Sequence, residues 1–193
     1  MAIVFEIPPP QSEKELEQGL ARLGLANLLL AGAGNEQSKQ PHQIYALRLD
    51  RLSQEGPLEE AELLSWRYIV GGTPGSLLSA DVRVAAEHEH VFSAFSQNRI
   101  ANETLTQLDQ VEADKFVSQA KFNPRLLRVY GLMFAALWLH LQGAKDFKDD
   151  VFIPLPGASD PLTAGEKYFR NDLAKALHEE AKQQIKLVTE TSS

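Results

Sequence analysis

The sequence predicts an α+β fold in which a small mixed or antiparallel sheet, formed mainly by the N-terminal half, packs with a helical C-terminal half. The first observation behind this prediction is that strand-like and helix-like segments alternate up to the glycine-proline cluster at 71–75, and that helical patterns dominate after it. The order strand, helix, strand, strand, helix, strand is compatible with a ferredoxin-like sandwich.

The second observation is the apolar run Leu126–Leu141, whose middle part carries no charged residue. A helix that is apolar on every side needs protein or lipid around its whole circumference. Crossing a bilayer takes about 20 apolar residues, and Arg128 and His140 near the two ends make this run too short. We therefore expect a buried central helix that begins after Asn123-Pro124 and ends at Gly143.

The first elements are predicted from residue type and from boundary residues. β-Branched and aromatic residues over 2–7, followed by three prolines, predict a strand and a stiff turn. Ser12 and Glu15 have the spacing of a capping box, which opens a helix that extends to Leu23. The short apolar run over 26–31 predicts another strand.

The next elements complete the predicted sheet. Residues 43–49 alternate between apolar and polar side chains, which indicates a half-buried strand. Pro57 opens a second helix that reaches Trp66, with acidic residues in its first turns where the helix dipole favours them. A strand over 67–70 then ends at the glycine-proline cluster.

The remaining segments are mostly helical by pattern. Residues 80–95 fit both a strand and a helix, so periodicity leaves both alternatives open. A helix is indicated by apolar residues at helical spacing, Leu105, Leu108, Val111 and Phe116. Residues 151–153 are predicted to form a short extended segment, and residues 163–188 the last helix. We expect one domain over 1–193, with a seam at 71–79 between an α/β part over 1–71 and a mainly helical part over 79–188.

Composition bounds the function. The 193 residues carry a net charge of -7 and include no cysteine. An acidic chain of this kind disfavours broad contact with nucleic acid phosphates, and the missing cysteines exclude disulfides and thiolate metal sites. With no secretory signal or membrane-spanning run in the sequence, we expect a cytoplasmic protein that binds neither nucleic acid nor membrane.

Potential metal ligands crowd together only in Glu87-His88-Glu89-His90. On a strand, His88 and His90 would point the same way and could share a divalent transition metal, with Glu87 or Glu89 as a further ligand or general base. On a helix, Glu87 and His90 have the carboxylate–imidazole spacing of di-iron bundles. No second Glu-x-x-His and no complete zinc-protease motif accompanies them.

Two further features of the sequence bear on ligand binding. The segments 32–39 and 71–76 contain glycines, but neither completes a dinucleotide or phosphate-binding motif, which makes both more typical of turns. Arg125 and Arg128 would lie on one side of the predicted central helix, where they could contact an anion.

The sequence therefore contains no complete catalytic constellation. We expect a non-enzymatic interaction or regulatory module that works through a protein surface, with a protein partner or as a homo-oligomer. No cofactor is expected on this hypothesis. The alternative is a metal-binding protein or metal-dependent enzyme centred on His88 and His90.

Overall fold

The computed structural model describes residues 2–28, 40–54, 58–73, 76–97, 99–115, 117–158 and 161–191. The α-helices within this part are α1 (Pro10–Arg22), α2 (Leu49–Ser53), α3 (Arg99–Glu112) and α4 (Arg170–Thr191). The strands are β1 (His42–Ala46), β2 (Glu62–Thr73), β3 (Ser76–Ala86), β4 (Glu89–Gln97), β5 (Phe122–Val129), β6 (Phe134–Leu141), β7 (Val151–Pro154) and β8 (Tyr168–Phe169).

All of these strands belong to one eight-stranded sheet with the order β4-β3-β2-β1-β5-β6-β7-β8. β1 and β5 are parallel at its centre, and every other neighbouring pair is antiparallel. Each side of the central pair is thus a four-stranded antiparallel meander. A helix precedes each meander in the chain, α1 the first and α3 the second, while α2 lies between β1 and β2 and α4 follows β8.

One face of the sheet packs against α3, and we call it the α3 face. Ile44, Leu126, Leu137 and Ile153 stand side by side on four adjacent strands and belong to the same buried cluster. Helix α3 adds the side chains at helical spacing that the sequence predicted, Leu105, Leu108 and Val111. The α3 face therefore carries one continuous buried cluster at the centre of the sheet.

The opposite face is covered by two separate helices. Leu16 and Leu20 of α1 pack on β2 and β3, whereas Leu173 and Leu177 of α4 pack on β5, β6 and β7. The sheet is consequently buried on both faces over much of its width. Strands buried on both faces need apolar residues at consecutive positions rather than at alternate ones.

The predicted central helix over Leu126–Leu141 is wrong. These residues form β5 and β6, an antiparallel hairpin whose connection contains the 3₁₀ turn Tyr130–Leu132. Continuous burial on both faces gives these strands the same unbroken apolar pattern that a buried helix shows, so length and composition misled the prediction. Pro124 lies in β5, one residue before the registered pairing with β1 begins at Arg125.

The predicted small N-terminal sheet of ferredoxin-like arrangement and the helical C-terminal half are also wrong. Strands β3 to β8 all follow residue 71, and α3 and α4 are the long helices described there. The presence of both helices and strands, the α+β character, is confirmed. The proposed seam stays a prediction; residues 71–73 end β2 and Ser76 begins β3.

Several boundaries differ from the predicted ones. The helix expected from Pro57 to Trp66 is replaced by a 3₁₀ turn at Leu58–Glu60 and by β2, because pairing on both sides holds these residues in a strand. The ambiguous segment 80–95 belongs to β3 and β4. Within the predicted strand over 2–7, Ile3 alone forms a bridge, with Phe122.

Candidate functional site

Strand β4 forms one edge of the sheet and begins within the segment that the sequence singled out for metal binding. Among the described residues it pairs with β3 alone. The other edge strand, β8, has two residues and runs directly into α4. By contrast, β4 spans nine residues, so it offers about 30 Å of backbone to a further strand.

The sequence of β4 has few of the features that normally protect an edge strand. It contains no proline, lysine or arginine, and Glu89 is its one acidic residue. Ser93, Ala94 and Ser96 are small and exposed. The pairing of β4 with β3 shifts register twice, and these irregularities are the one feature of the described strand that discourages a further strand from pairing. Such an edge is suited to strand addition.

The predicted metal ligands lie around the turn that leads into β4, and the structure separates the two histidines. The side chains of His88 and Glu87 are 92% and 91% exposed, and their nearest charged atoms are 4.0 Å apart. His90 is in β4 and is 7% exposed. His88 belongs to the turn rather than to the strand, so the alternation that would aim both rings the same way does not apply.

The metal-binding hypothesis stays a prediction. Within the described ranges, no group of three or more histidine, aspartate or glutamate residues is placed to hold a metal ion. Nδ1 of His90 is buried without a hydrogen-bond partner in the same part of the chain. The glycine segment 32–39 lies outside the described residues, as do Pro74 and Gly75 of the second glycine segment.

Arg125 lies on the opposite face and is held by neighbours from three parts of the chain. Its Nη2 donates to Oε1 of Glu6 at 3.0 Å. Its guanidinium carbon is 5.2 Å from the Tyr45 ring centroid and 5.1 Å from that of Trp138. These contacts position the guanidinium as an ion-pair and cation–π partner within the fold.

Arg128 points to the α3 face, because residues three apart on a strand face opposite sides of the sheet. The predicted pairing of Arg125 with Arg128 on one helix side therefore does not occur. The guanidinium carbon of Arg128 is 4.8 Å from the Tyr130 ring centroid, and its Nε is buried without a hydrogen-bond partner. Burial, and to a smaller extent the nearby Arg67 charge, lower the pKa of Arg128.

Arg67 and Asp81 form a buried ion pair on the same α3 face. Nε and Nη2 of Arg67 each donate to one carboxylate oxygen of Asp81 at 2.8 Å. The third guanidinium nitrogen, Nη1, is buried without a hydrogen-bond partner. The adjacent His42 is fully buried, and burial together with the Arg67 charge lowers its pKa to about 4. His42 is therefore neutral at pH 7.

A second buried polar network joins β6 to the loop before β7. The carboxylate of Asp150 accepts hydrogen bonds from Nε1 of Trp138 at 2.6 Å, from Nδ1 of His140 at 2.9 Å and from the Leu141 backbone N–H at 3.1 Å. Asp150 has no exposed surface. Because a carboxylate only accepts, the proton of neutral His140 lies on Nδ1. The network fixes this ring and the loop together.

Sequence reasoning missed Arg67, Asp81, His140 and Asp150. Side chains alternate between the two faces along β2 and β3, and once these strands are paired, Arg67 and Asp81 lie opposite one another on the same face. This alternation is the sequence signal for the Arg67–Asp81 pair. No local pattern indicates the role of Asp150. The chain turns after Leu141, and this turn brings Asp150 back to β6.

Comparisons with protein-family models, with curated proteins and with solved structures found no match to this chain. In the part of the chain that the structure covers, no helix is both long and apolar enough to span a membrane.

Proposed function

We propose that this chain is a non-enzymatic interaction module that self-associates by adding β4 of one copy to β4 of another. The observation that carries the proposal is the nine-residue edge strand without proline or basic residues. Natural proteins usually blunt long edges with such residues, so an open edge favours pairing with another strand. A cytoplasmic location remains part of this proposal.

A second copy of the chain is the occupant that the charges of β4 favour. An antiparallel pair with its twofold axis at Ser93 would set Glu89 of each copy opposite Gln97 of the other. Like charges directly opposite one another would destabilise a sheet, and this register avoids them. Val91 is 36% exposed and adds an apolar side chain to this edge strand. Two identical strands thus complement each other.

The test is the oligomeric state of variants that carry lysine on the edge. Ala94→Lys combined with Ser96→Lys introduces two charges at exposed positions of β4. Gln142→Lys combined with Gln183→Lys adds the same charge at exposed positions outside it. Light scattering coupled to size exclusion should find a dimer for the wild type and for the control variant, and a monomer for the edge variant.

Two outcomes would overturn the proposal. A wild-type protein that is monomeric across a wide range of concentration has no such interface. An edge variant that dimerises as well as the control variant associates through some other surface. Circular dichroism spectra of both variants show whether the fold is retained.

A further inference from the structure

Three arginine side chains from three strands lie on the α3 face, and we call Arg67, Arg83 and Arg128 the arginine patch. Ser65 pairs with Ile44 of the α3 face, so Ser65 and Arg67, two residues later, lie on that face. Arg83 pairs with Ser65 and therefore lies on the same face. Arg128 pairs with Ala46, which lies two residues after Ile44 and therefore on the same face. The patch stands out in a chain whose net charge is -7.

Of the three cations of the patch, Arg67 alone forms an ion pair with a described residue. Asp81 neutralises Arg67 through two hydrogen bonds. Neither Arg83 nor Arg128 forms an ion pair with a described residue. Glu62 also lies on this face, at the start of β2, where it pairs with Ala46, the residue that Arg128 meets from the other side. A half-buried guanidinium without a counter-ion costs free energy.

Several nitrogen atoms of the patch lack partners. Nη1 of Arg67 and Nε of Arg128 are buried without hydrogen bonds to the described protein, and the side chain of Arg67 is 4% exposed. Arg83 is exposed, so the patch opens to the surface beside it. Burial and, to a smaller extent, the Arg67 charge lower the pKa of Arg128, whereas the Tyr130 and Asp81 side chains raise it. A bound anion would add a counter-charge at Arg128, which forms no ion pair with a described residue.

We infer that the arginine patch binds the phosphate group of a small phosphomonoester. Arg83 and Arg128 form no ion pair with a described residue, so their two charges match those of a phosphomonoester at neutral pH, and the fork geometry of a guanidinium group suits phosphate oxygens. Nη1 of Arg67 supplies a further donor. The site lies on β2, β3 and β5, so this inference is independent of self-association through β4.

The first experiment is a calorimetric titration of the full chain with inorganic phosphate and with glycerol 3-phosphate, in dilute buffer matched for ionic strength with sodium chloride. We expect one site per chain. Arg83→Gln should weaken binding of either probe about tenfold or more, the usual effect of losing one charge-assisted hydrogen bond. Arg48→Gln, whose exposed side chain pairs with Asp50, is the matched control and should leave binding unchanged.

A second variant separates a ligand site from a structural one. Replacing Arg128 by methionine removes a half-buried charge that forms no ion pair with a described residue, so Arg128→Met should melt at a higher temperature than the wild type in phosphate-free buffer. The same variant should lose phosphate binding. A residue kept only for packing would show the reverse, a lower melting temperature with binding intact.

The inference is overturned if the heat of the phosphate titration equals that of chloride at the same ionic strength. It is equally overturned if Arg48→Gln weakens binding as much as Arg83→Gln does, because the interaction would then follow overall charge. If glycerol 3-phosphate fails to bind where inorganic phosphate binds, the site accepts the free ion and the phosphomonoester assignment is wrong.

Discussion

Gly19 allows α1 to approach β4 at a distance that no other residue would permit. A Cβ atom added to Gly19 would lie 2.0 Å from Cγ and 2.1 Å from Cδ2 of Phe92, and 2.7 Å from its Cβ. Favourable contact between carbon atoms lies at about 3.5–4.0 Å. Rotation of the Phe92 ring cannot relieve the contact with its own Cβ, so the helix and the strand would have to separate.

The expected effect of Gly19→Ala follows from two opposing contributions. Alanine in a helix interior is more favourable than glycine by about 1 kcal/mol. Overpacking of a closely packed site costs about 1–3 kcal/mol, and a contact that side-chain rotation cannot remove belongs at the upper end of that range. We therefore expect Gly19→Ala to lower the free energy of unfolding by about 2 kcal/mol.

Urea denaturation followed by tryptophan fluorescence measures this loss, because Trp66 belongs to the cluster that α1 covers. In a Phe92→Ala background the two ring contacts are gone and the Cβ contact at 2.7 Å remains, so the same Gly19→Ala change should cost less than it does in the wild type. Gln18→Ala, on the exposed side of α1, is the control and should shift stability by less than about 0.5 kcal/mol. If Gly19→Ala stabilises the wild type, the close approach of α1 to β4 is refuted.

Two further predictions concern buried polar groups. Asp150→Asn turns one acceptor atom of the network into a donor facing Trp138 or His140, and should cost about 3 kcal/mol in urea denaturation; a loss below about 0.5 kcal/mol would contradict the network. His42 has a folded-state pKa of about 4 against an ordinary value of 6.5. The unfolded chain therefore binds the proton first, so stability should fall by about 3 kcal/mol as the pH drops from 6.5 to 4. His42→Gln should show a smaller slope over that window, and an unchanged slope would exclude His42 as the source.

The elements that the sequence predicted well are those fixed by local interactions. Helix α1 was expected to begin near Ser12 and to end at Leu23, and it spans Pro10–Arg22. The helical spacing of its leucines is a local property, and it decides this element. The predicted capping box is wrong, because the helix is preceded by Pro9 without a side-chain cap and the Ser12 hydroxyl accepts a hydrogen bond from Tyr68 instead. The stripe of α3, from Leu105 to Val111, is of the same kind, since one side of this helix meets the sheet and the other meets solvent.

The arginine patch and the Asp150 network could not be predicted in this way. Arg67 meets Asp81 because β2 and β3 pair in one register, and a shift by one residue would move either side chain to the other face. Arg128 joins them through the parallel pairing of β1 with β5, strands separated by two helices and three further strands in the chain. Strand register of this range is set by tertiary packing rather than by local sequence.

The turn between β5 and β6 explains why the hairpin was mistaken for a helix, and it also makes a prediction. Met133 has φ 50° and ψ 23°, a left-handed conformation that glycine or asparagine normally supplies and that would have signalled a turn. Met133 is 87% exposed, so replacing its side chain removes no buried apolar contact. Met133→Gly should therefore raise the free energy of unfolding by about 0.5–1 kcal/mol, the left-handed strain less the entropy of glycine.

The neighbouring residue provides the control for this prediction. Leu132 is half-buried against the core cluster of the opposite face and belongs to the 3₁₀ turn, so Leu132→Gly should lose at least about 1 kcal/mol in the same urea experiment. Opposite signs for adjacent glycine substitutions follow only if the chain reverses at Met133. In a continuous helix over Leu126–Leu141 both glycines would be destabilising, by about 1 kcal/mol each relative to a good helix former. A loss of stability in Met133→Gly would thus count against the hairpin itself, and with it against the register that brings Arg128 to the α3 face.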